Sequence, residues 1–181
     1  MEQFKWAILI LPVISLIGVV LMYLYFRNKV KNEFTYKYFI STFALTAFLF
    51  NIGWELLQGP LYEGYQYDWN HIRMCLLASV TDMLTLLVML FGLGLFYKNI
   101  FWIQKLSVGK IILIVVSGGT GTILLERLHI AIGYWEYAKA MPILPIVDVG
   151  LTPFLQFTVL PIAIFIVGEI IYRKSISSPK F

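Results

Sequence analysis

Charge is scarce in this chain: Asp, Glu, Lys and Arg make up 13% of its 181 residues, against roughly 25% in a typical soluble domain. With 60% of the residues hydrophobic, that scarcity excludes a water-exposed globular domain and points to a membrane protein. Cysteine is nearly absent. The single Cys75 excludes an internal disulfide, and in an apolar stretch it reads as a packing residue. Histidine is almost as rare, with only His71 and His129. Without a His-x-x-x-His, a Glu-x-x-His or a Cys pair, a His-rich metal site is excluded; no metal and no cofactor are expected. A Rossmann fingerprint and a Ser-His-Asp pattern are missing too.

What the chain does have is long apolar runs. Five approach or exceed the roughly 20 residues that cross a bilayer: about 6–26, 38–57, 74–97, 111–131 and 151–172. The expected fold is all-α, a single polytopic membrane bundle of five transmembrane helices, with an outer re-entrant or surface-lying segment over about 132–150. The first run is too long for a signal-peptide core, lacks a small-x-small cleavage site and is followed by Arg27, Lys29 and Lys31, a stop-transfer flank. Of the 14 Lys and Arg, Lys5, Arg73, Arg127 and Lys139 fall on one side, leaving ten on the other. The positive-inside rule then places the N-terminus outside and the C-terminus in the cytoplasm. The net charge of +4 is explained by topology and attraction to lipid headgroups, so no nucleic-acid partner is implied. A bacterial cytoplasmic membrane is the expected location, with membrane lipids as partners.

Acids stand out against this background because a charge in hydrocarbon costs roughly 2.5–3.5 kcal/mol even on the lenient insertion scale. Glu55, Asp82, Glu126 and Asp148 fall toward the same membrane face, and Glu169 toward the other. At 1.5 Å per residue, Glu55 lies about 3–5 Å below the outer end, Asn51 about 10 Å, Asp82 about 13 Å, and Glu126 and Gln156 about 7 Å. Asn51, Glu55, Gln58 and Tyr62 form one helical stripe, and Thr122, Glu126 and His129 another. Ser79, Asp82 and Thr85 point roughly one way from the third helix. Polar stripes avoid lipid, so they should converge on an interior cavity in the outer half.

The plainer readings compete residue by residue. Glu55 could snorkel to the interface, Trp135 and Tyr137 suit an aromatic belt, and Glu169 suits the inner interface beside Arg173. Asp82 is too deep and too short to snorkel. The run Ser117-Gly-Gly-Thr-Gly-Thr122 lies mid-span, with no strand before it, so its small-xxx-small pairs read as helix packing.

Trp54-Glu55-x-x-Gln58-x-Pro60-Leu61-Tyr62, Asp82, Glu126, Trp135-x-Tyr137, Met141-Pro142, Pro145 and Gly150-Leu151-x-Pro153-x-x-Gln156 together resemble a group of uncharacterised bacterial multi-pass membrane proteins over roughly positions 50–161. That resemblance brings no function. Where the group has Gly-Thr-Gly-Leu before the proline, this chain has Asp148-Val-Gly150-Leu151. A second resemblance covers about a helix and a half: Asn51-x-x-Trp54-Glu55 and a later membrane Asp are similar to small integral-membrane terpene cyclases of fungal meroterpenoid pathways, although this chain is shorter. It implies a Glu–Asp pair protonating an epoxide or olefin, carried onto Glu55 and Asp82.

Three functions fit these residues. The first is acid–base catalysis on a lipophilic, isoprenoid-like substrate, a cyclisation or isomerisation, with Glu55, Asp82 and Glu126 as catalytic groups. Asn51, Trp54, Gln58, Tyr62, Trp135, Tyr137 and Gln156 would contact the substrate. The second is a non-catalytic lipid or small-molecule binder or a proton-linked carrier. The third is a structural membrane subunit whose polar residues tie helices together. Sequence leaves the oligomeric state open.

Overall fold

The chain's computed structural model describes residues 10–177, with side chains as far as Lys174. Expectations resting on the start of the 6–26 run, or on the charges of Lys5 and Lys180, lie outside the described residues.

Five helices are long and apolar enough to cross a membrane. In chain order the helices are α1 (Ile10–Arg27), α2 (Glu33–Gln58), α3 (Trp69–Phe96), α4 (Val108–Ala131), α5 (Leu151–Thr158) and α6 (Leu160–Ser177). Helices α5 and α6 are two pieces of the fifth long span. Several begin earlier than hydropathy alone indicates, because polar caps extend them beyond the apolar run. Asn32 accepts from the Thr35 amide at 3.0 Å and starts α2 at Glu33. Asp68 accepts from the His71 amide at 2.9 Å and starts α3 at Trp69.

The His71 backbone N–H, followed by its ring, holds the Asp68 carboxyl below the usual range. A depressed folded pKa gives stabilisation that is complete above the ordinary aspartate value and lost as pH falls through the folded one. The first-turn amides of α3 should therefore exchange faster only in acid. Asp68→Asn, which keeps an acceptor, should remove that pH dependence in hydrogen-exchange measurements.

The fifth expected helix is broken rather than continuous. Pro161 has no N–H for the Phe157 carbonyl, and its ring crowds that carbonyl, so α5 stops at Thr158 and α6 starts at Leu160. The Phe157 carbonyl turns onto Gly118 of α4, where a Cβ would lie 1.8 Å from the oxygen. Gly119 is tight as well, against Phe154 and Thr158 at 3.2 Å. The packing glycines are thus Gly118 and Gly119. Gly121 has nothing within 4 Å of its would-be Cβ and lines a cavity. Gly118→Ala should cost about 3 kcal/mol through forced overlap with backbone, despite alanine's better helix propensity. Gly121→Ala should gain up to about 1 kcal/mol. Unfolding in detergent reads both, and equal effects would refute this assignment.

The hydrophobic core sits at the basic end of the bundle, where Arg27, Lys29, Lys98 and Lys110 cluster between helix ends. Tyr36, Phe39, Phe43, Phe91, Ile103 and Phe165 are fully or almost fully buried there. Phe43 meets Phe165 at 5.2 Å, and Trp102 meets Phe165 at 5.2 Å. Trp102 satisfies its ring N–H on the Leu90 carbonyl at 3.0 Å, as a buried indole requires. Helix α3 packs on α1 and α2, and α2 also on α6, whereas α4 packs chiefly on α5. This leaves α3 and α4 facing each other across a gap.

Residues 132–150, expected to be re-entrant or surface-lying, contain a short antiparallel hairpin. Its strands β1 (Ile143–Leu144) and β2 (Val149–Gly150) pair Ile143 with Gly150 and Leu144 with Val149. Ile146 at its tip is 96% exposed. Before the hairpin, the chain is strapped to the end of α2: the Glu63 amide donates to the Glu136 carbonyl, and the Ala138 amide to the Leu61 carbonyl, both at 2.9 Å.

Candidate functional site

The buried face of α2 positions the site. Tyr36, Ile40, Phe43, Ala47, Asn51 and Gln58 are all buried at helical spacing along it. One stripe therefore runs from aromatic at the basic end to polar at the other, and the same packing that buries Phe43 aims Asn51 inward. Buried polar groups such as Asn51, Gln58 and Gln156 need hydrogen-bond partners.

They do so around Gln156 of α5. Its amide nitrogen lies 3.1 Å from Asn51 Oδ1, 2.8 Å from Glu55 Oε1 and 2.9 Å from Asp82 Oδ2. Its oxygen accepts from Gln58 Nε2 at 2.8 Å, and Gln58 also donates to Glu55 Oε1 at 2.8 Å. Three oxygens around one terminus and an NH₂ at the other fix the amide's orientation. Asn51 is fully buried and spends its own NH₂ on the Ala47 carbonyl at 2.8 Å. Glu55 Oε1 and Asp82 Oδ2 thus converge on one amide nitrogen, 2.8 and 2.9 Å from it.

Glu126 forms a second cluster. Its Oε2 accepts from the Tyr137 hydroxyl at 2.5 Å and from Trp135 Nε1 at 3.4 Å. Neither donor reaches Oε1, and Glu126 is 8% exposed. Tyr62 stands over this cluster, 6.2 Å from the Trp135 ring and 5.7 Å from that of Tyr137. Burial, and next the adjacent Glu126, push the Tyr62 phenol far above its usual range. Burial and the bond to Glu126 do the same to Tyr137. Both stay protonated, and Tyr137 remains a donor. The two clusters interact electrostatically, Glu126 with both Glu55 and Asp82.

Both clusters border one cavity of about 430 Å³, within the range of small-molecule sites. Its long walls are α3, from His71 to Met89, and α4, from Ser117 to His129. The eighteen residue steps from His71 to Met89 correspond to about 27 Å at 1.5 Å per residue, so the cavity is a slot. Glu55, Asp82, Glu126, Tyr62, Trp135 and Gln156 line it. Toward the basic end, the wall becomes Met89, Gly118, Gly121 and Phe157.

The expected site residues therefore divide. Glu55, Asp82, Glu126, Gln58, Tyr62, Trp135 and Gln156 reach the slot. Asn51, Trp54 and Tyr137 stand behind it: Trp54 donates to Gln58 Oε1 at 3.1 Å, Asn51 supports Gln156 and Tyr137 supports Glu126. Asp148 does not join the other acids. It occupies the left-handed position of the hairpin turn at φ 53°, which a short polar side chain tolerates. Glu169 pairs with Arg173 at 2.7 Å near the basic end. Ser79 leaves the expected face too; it is fully buried and bonds back to the Cys75 carbonyl at 2.7 Å.

The sequence reading missed Leu11 and Pro12, which close one side of the slot. In an otherwise featureless apolar helix, no signal distinguishes a cavity wall from a lipid-facing one. Among the described residues, no three His, Cys, Asp or Glu side chains group to hold a metal ion. Comparison with protein-family models, with curated proteins and with solved structures finds no match to this chain.

Proposed function

We propose that the chain crosses a membrane five times, with its basic end in the cytoplasm, and that the slot takes a lipophilic substrate from the bilayer for acid–base chemistry. The Lys and Arg asymmetry supports the orientation. It sets the acids in the non-cytoplasmic half, with the slot's apolar end toward the membrane centre. The observation that carries the catalytic reading is a pair of carboxyl groups held on one amide nitrogen in the wall of a largely apolar slot.

In this reading, the Glu55–Asp82 pair carries one proton and gives it to an olefin or epoxide of an isoprenoid-like chain. The pair is left as two carboxylates, steadied by the Gln156 and Gln58 amides. Positive charge then forms on the substrate, where the faces of Tyr62 and Trp135 stabilise it. Cyclisation or double-bond migration follows, and the carbon next to the cation loses its proton to Glu126. Return of that proton to the pair completes the cycle, so the reaction is an isomerisation with no net redox change. General acid–base catalysis of this kind contributes typically 10²–10⁴-fold.

The test compares lipid extracts of cells with and without the chain. Consumption of one neutral lipid and appearance of an isomer of equal mass is expected. Identical extracts, together with proton-gradient-dependent uptake of a lipophile, would replace this reading with a carrier.

A further inference from the structure

The slot is one-sided in its charge. Glu55, Asp82 and Glu126 line it, with Glu63 at its mouth, and no Lys or Arg does so among the described residues. Its two histidines are engaged elsewhere: His71 bonds Asp68 at 2.9 Å, and the His129 ring packs on Trp135 at 4.4 Å. The acids differ in kind. Glu55 and Asp82 are held by amides, both on Gln156 Nε2 and Glu55 also on Gln58 Nε2. Glu126 has both its donors on Oε2, and Oε1 has no partner among the described residues. Since no buried side-chain oxygen lacks a partner, Oε1 must meet the open space of the slot. Beside it stand the Tyr62 and Trp135 rings, at right angles with centroids 6.2 Å apart. An aromatic ring face beside a carboxylate attracts a cation. From Glu126 the slot continues inward to Ser117, nine residues or about 13 Å along α4, past Thr122, Gly121 and Gly118.

We propose that Glu126, Tyr62 and Trp135 form a subsite for positive charge carried on a lipophilic chain, with the chain lying in the slot toward Met89. This rests on reading the slot as a lipophile's site and narrows its ligand: the bound species is cationic, or becomes so, at the level of Glu126. A lipophilic ammonium is the stable form of that chemistry. A chain of equal length with an anionic head is rejected, because it meets carboxylates and, among the described residues, no Lys or Arg.

The experiment uses the full chain in dodecyl maltoside, whose uncharged tail serves as a neutral competitor, with radiolabelled dodecyltrimethylammonium as probe and protein-free micelles as blank. Saturable binding at one site per chain is expected, displaced by unlabelled probe at least about tenfold better than by dodecanoate. Glu126→Gln should weaken it about tenfold. Tyr62→Leu, which removes the ring, should weaken it as well, and by more than Tyr62→Phe, which keeps the ring. Displacement by dodecanoate as readily as by the ammonium overturns the proposal. Unchanged binding by both folded Glu126→Gln and folded Tyr62→Leu does so too. The two readings fail separately. Ammonium binding in a chain that changes no cellular lipid upholds this subsite and removes the catalysis. Lipid conversion with no ammonium preference removes this subsite alone.

Discussion

Gln156→Leu is expected to lower stability by about 2–4 kcal/mol, the largest loss for a single side chain away from the packing glycines. Interhelical hydrogen bonds in membrane bundles are individually modest, averaging about 0.6 kcal/mol. Gln156 is not one bond, however. Its amide serves Asn51, Glu55, Asp82 and Gln58 at once, and among the described residues α5 supplies the only side-chain amide joining α2 to α3 there. Leucine leaves a fully buried Asn51 oxygen without its Gln156 donor and removes one donor from each acid. Buried groups left unsatisfied cost about 1–3 kcal/mol apiece, reduced at Glu55 and Asp82 because both border the slot. Denaturant unfolding in mixed micelles measures the loss. A double variant with Asn51→Leu should cost less than the sum of the singles, since both act through the same contact. Strict additivity, or a loss under about 0.5 kcal/mol, would show that the network does not hold the helices together.

Glu55→Gln is expected to reduce lipid conversion by about 10²–10⁴-fold while leaving the chain folded. Glutamine has the same shape; its oxygen can accept from Gln156 and Gln58, and its NH₂ can donate to Asp82. What disappears is a proton that can leave. Asp82→Asn should have a comparable effect for the same reason. Glu55→Asp keeps the proton but withdraws it by one methylene, so it should retain partial turnover. Product appearance in lipid extracts, normalised to folded protein, reads all three. Parent-level conversion by Glu55→Gln would exclude the pair as the acid.

Much of this arrangement can be read from residue order, and the reasons are local. Five apolar runs are legible because length and hydropathy are properties of contiguous segments. The stripe from Asn51 to Tyr62 is legible because helical spacing sets which residues share a face. The convergence of Glu55, Asp82, Glu126 and Gln156 on one cavity follows from polar stripes avoiding an apolar surround. Other features depend on partners distant in sequence. That Trp135 and Tyr137 turn inward to Glu126 depends on the strap between Glu136 and Glu63, which no periodicity encodes. That Gly118 packs while Gly121 opens a cavity depends on where Phe157 falls on the neighbouring helix. Pro161 is visible in the sequence, but hydropathy runs the fifth span straight through it. Asp148 shared a presumed level with the other acids, and depth alone could not tell a turn residue from a cavity residue.

The interruption between Thr158 and Leu160 has a mechanical consequence. Helix α6 belongs with α2, whereas α5 belongs with α4, so the fifth span passes from one packing partner to the other at one unwound peptide. A helix already broken by proline can change its angle at that point without sacrificing a further intrahelical bond. Parting the α4–α5 arm from α3 to admit a guest would therefore bend the chain at Val159. The aromatic packing beside Phe165 would stay undisturbed, and Gln156 would ride on the moving arm as a latch between the two acids.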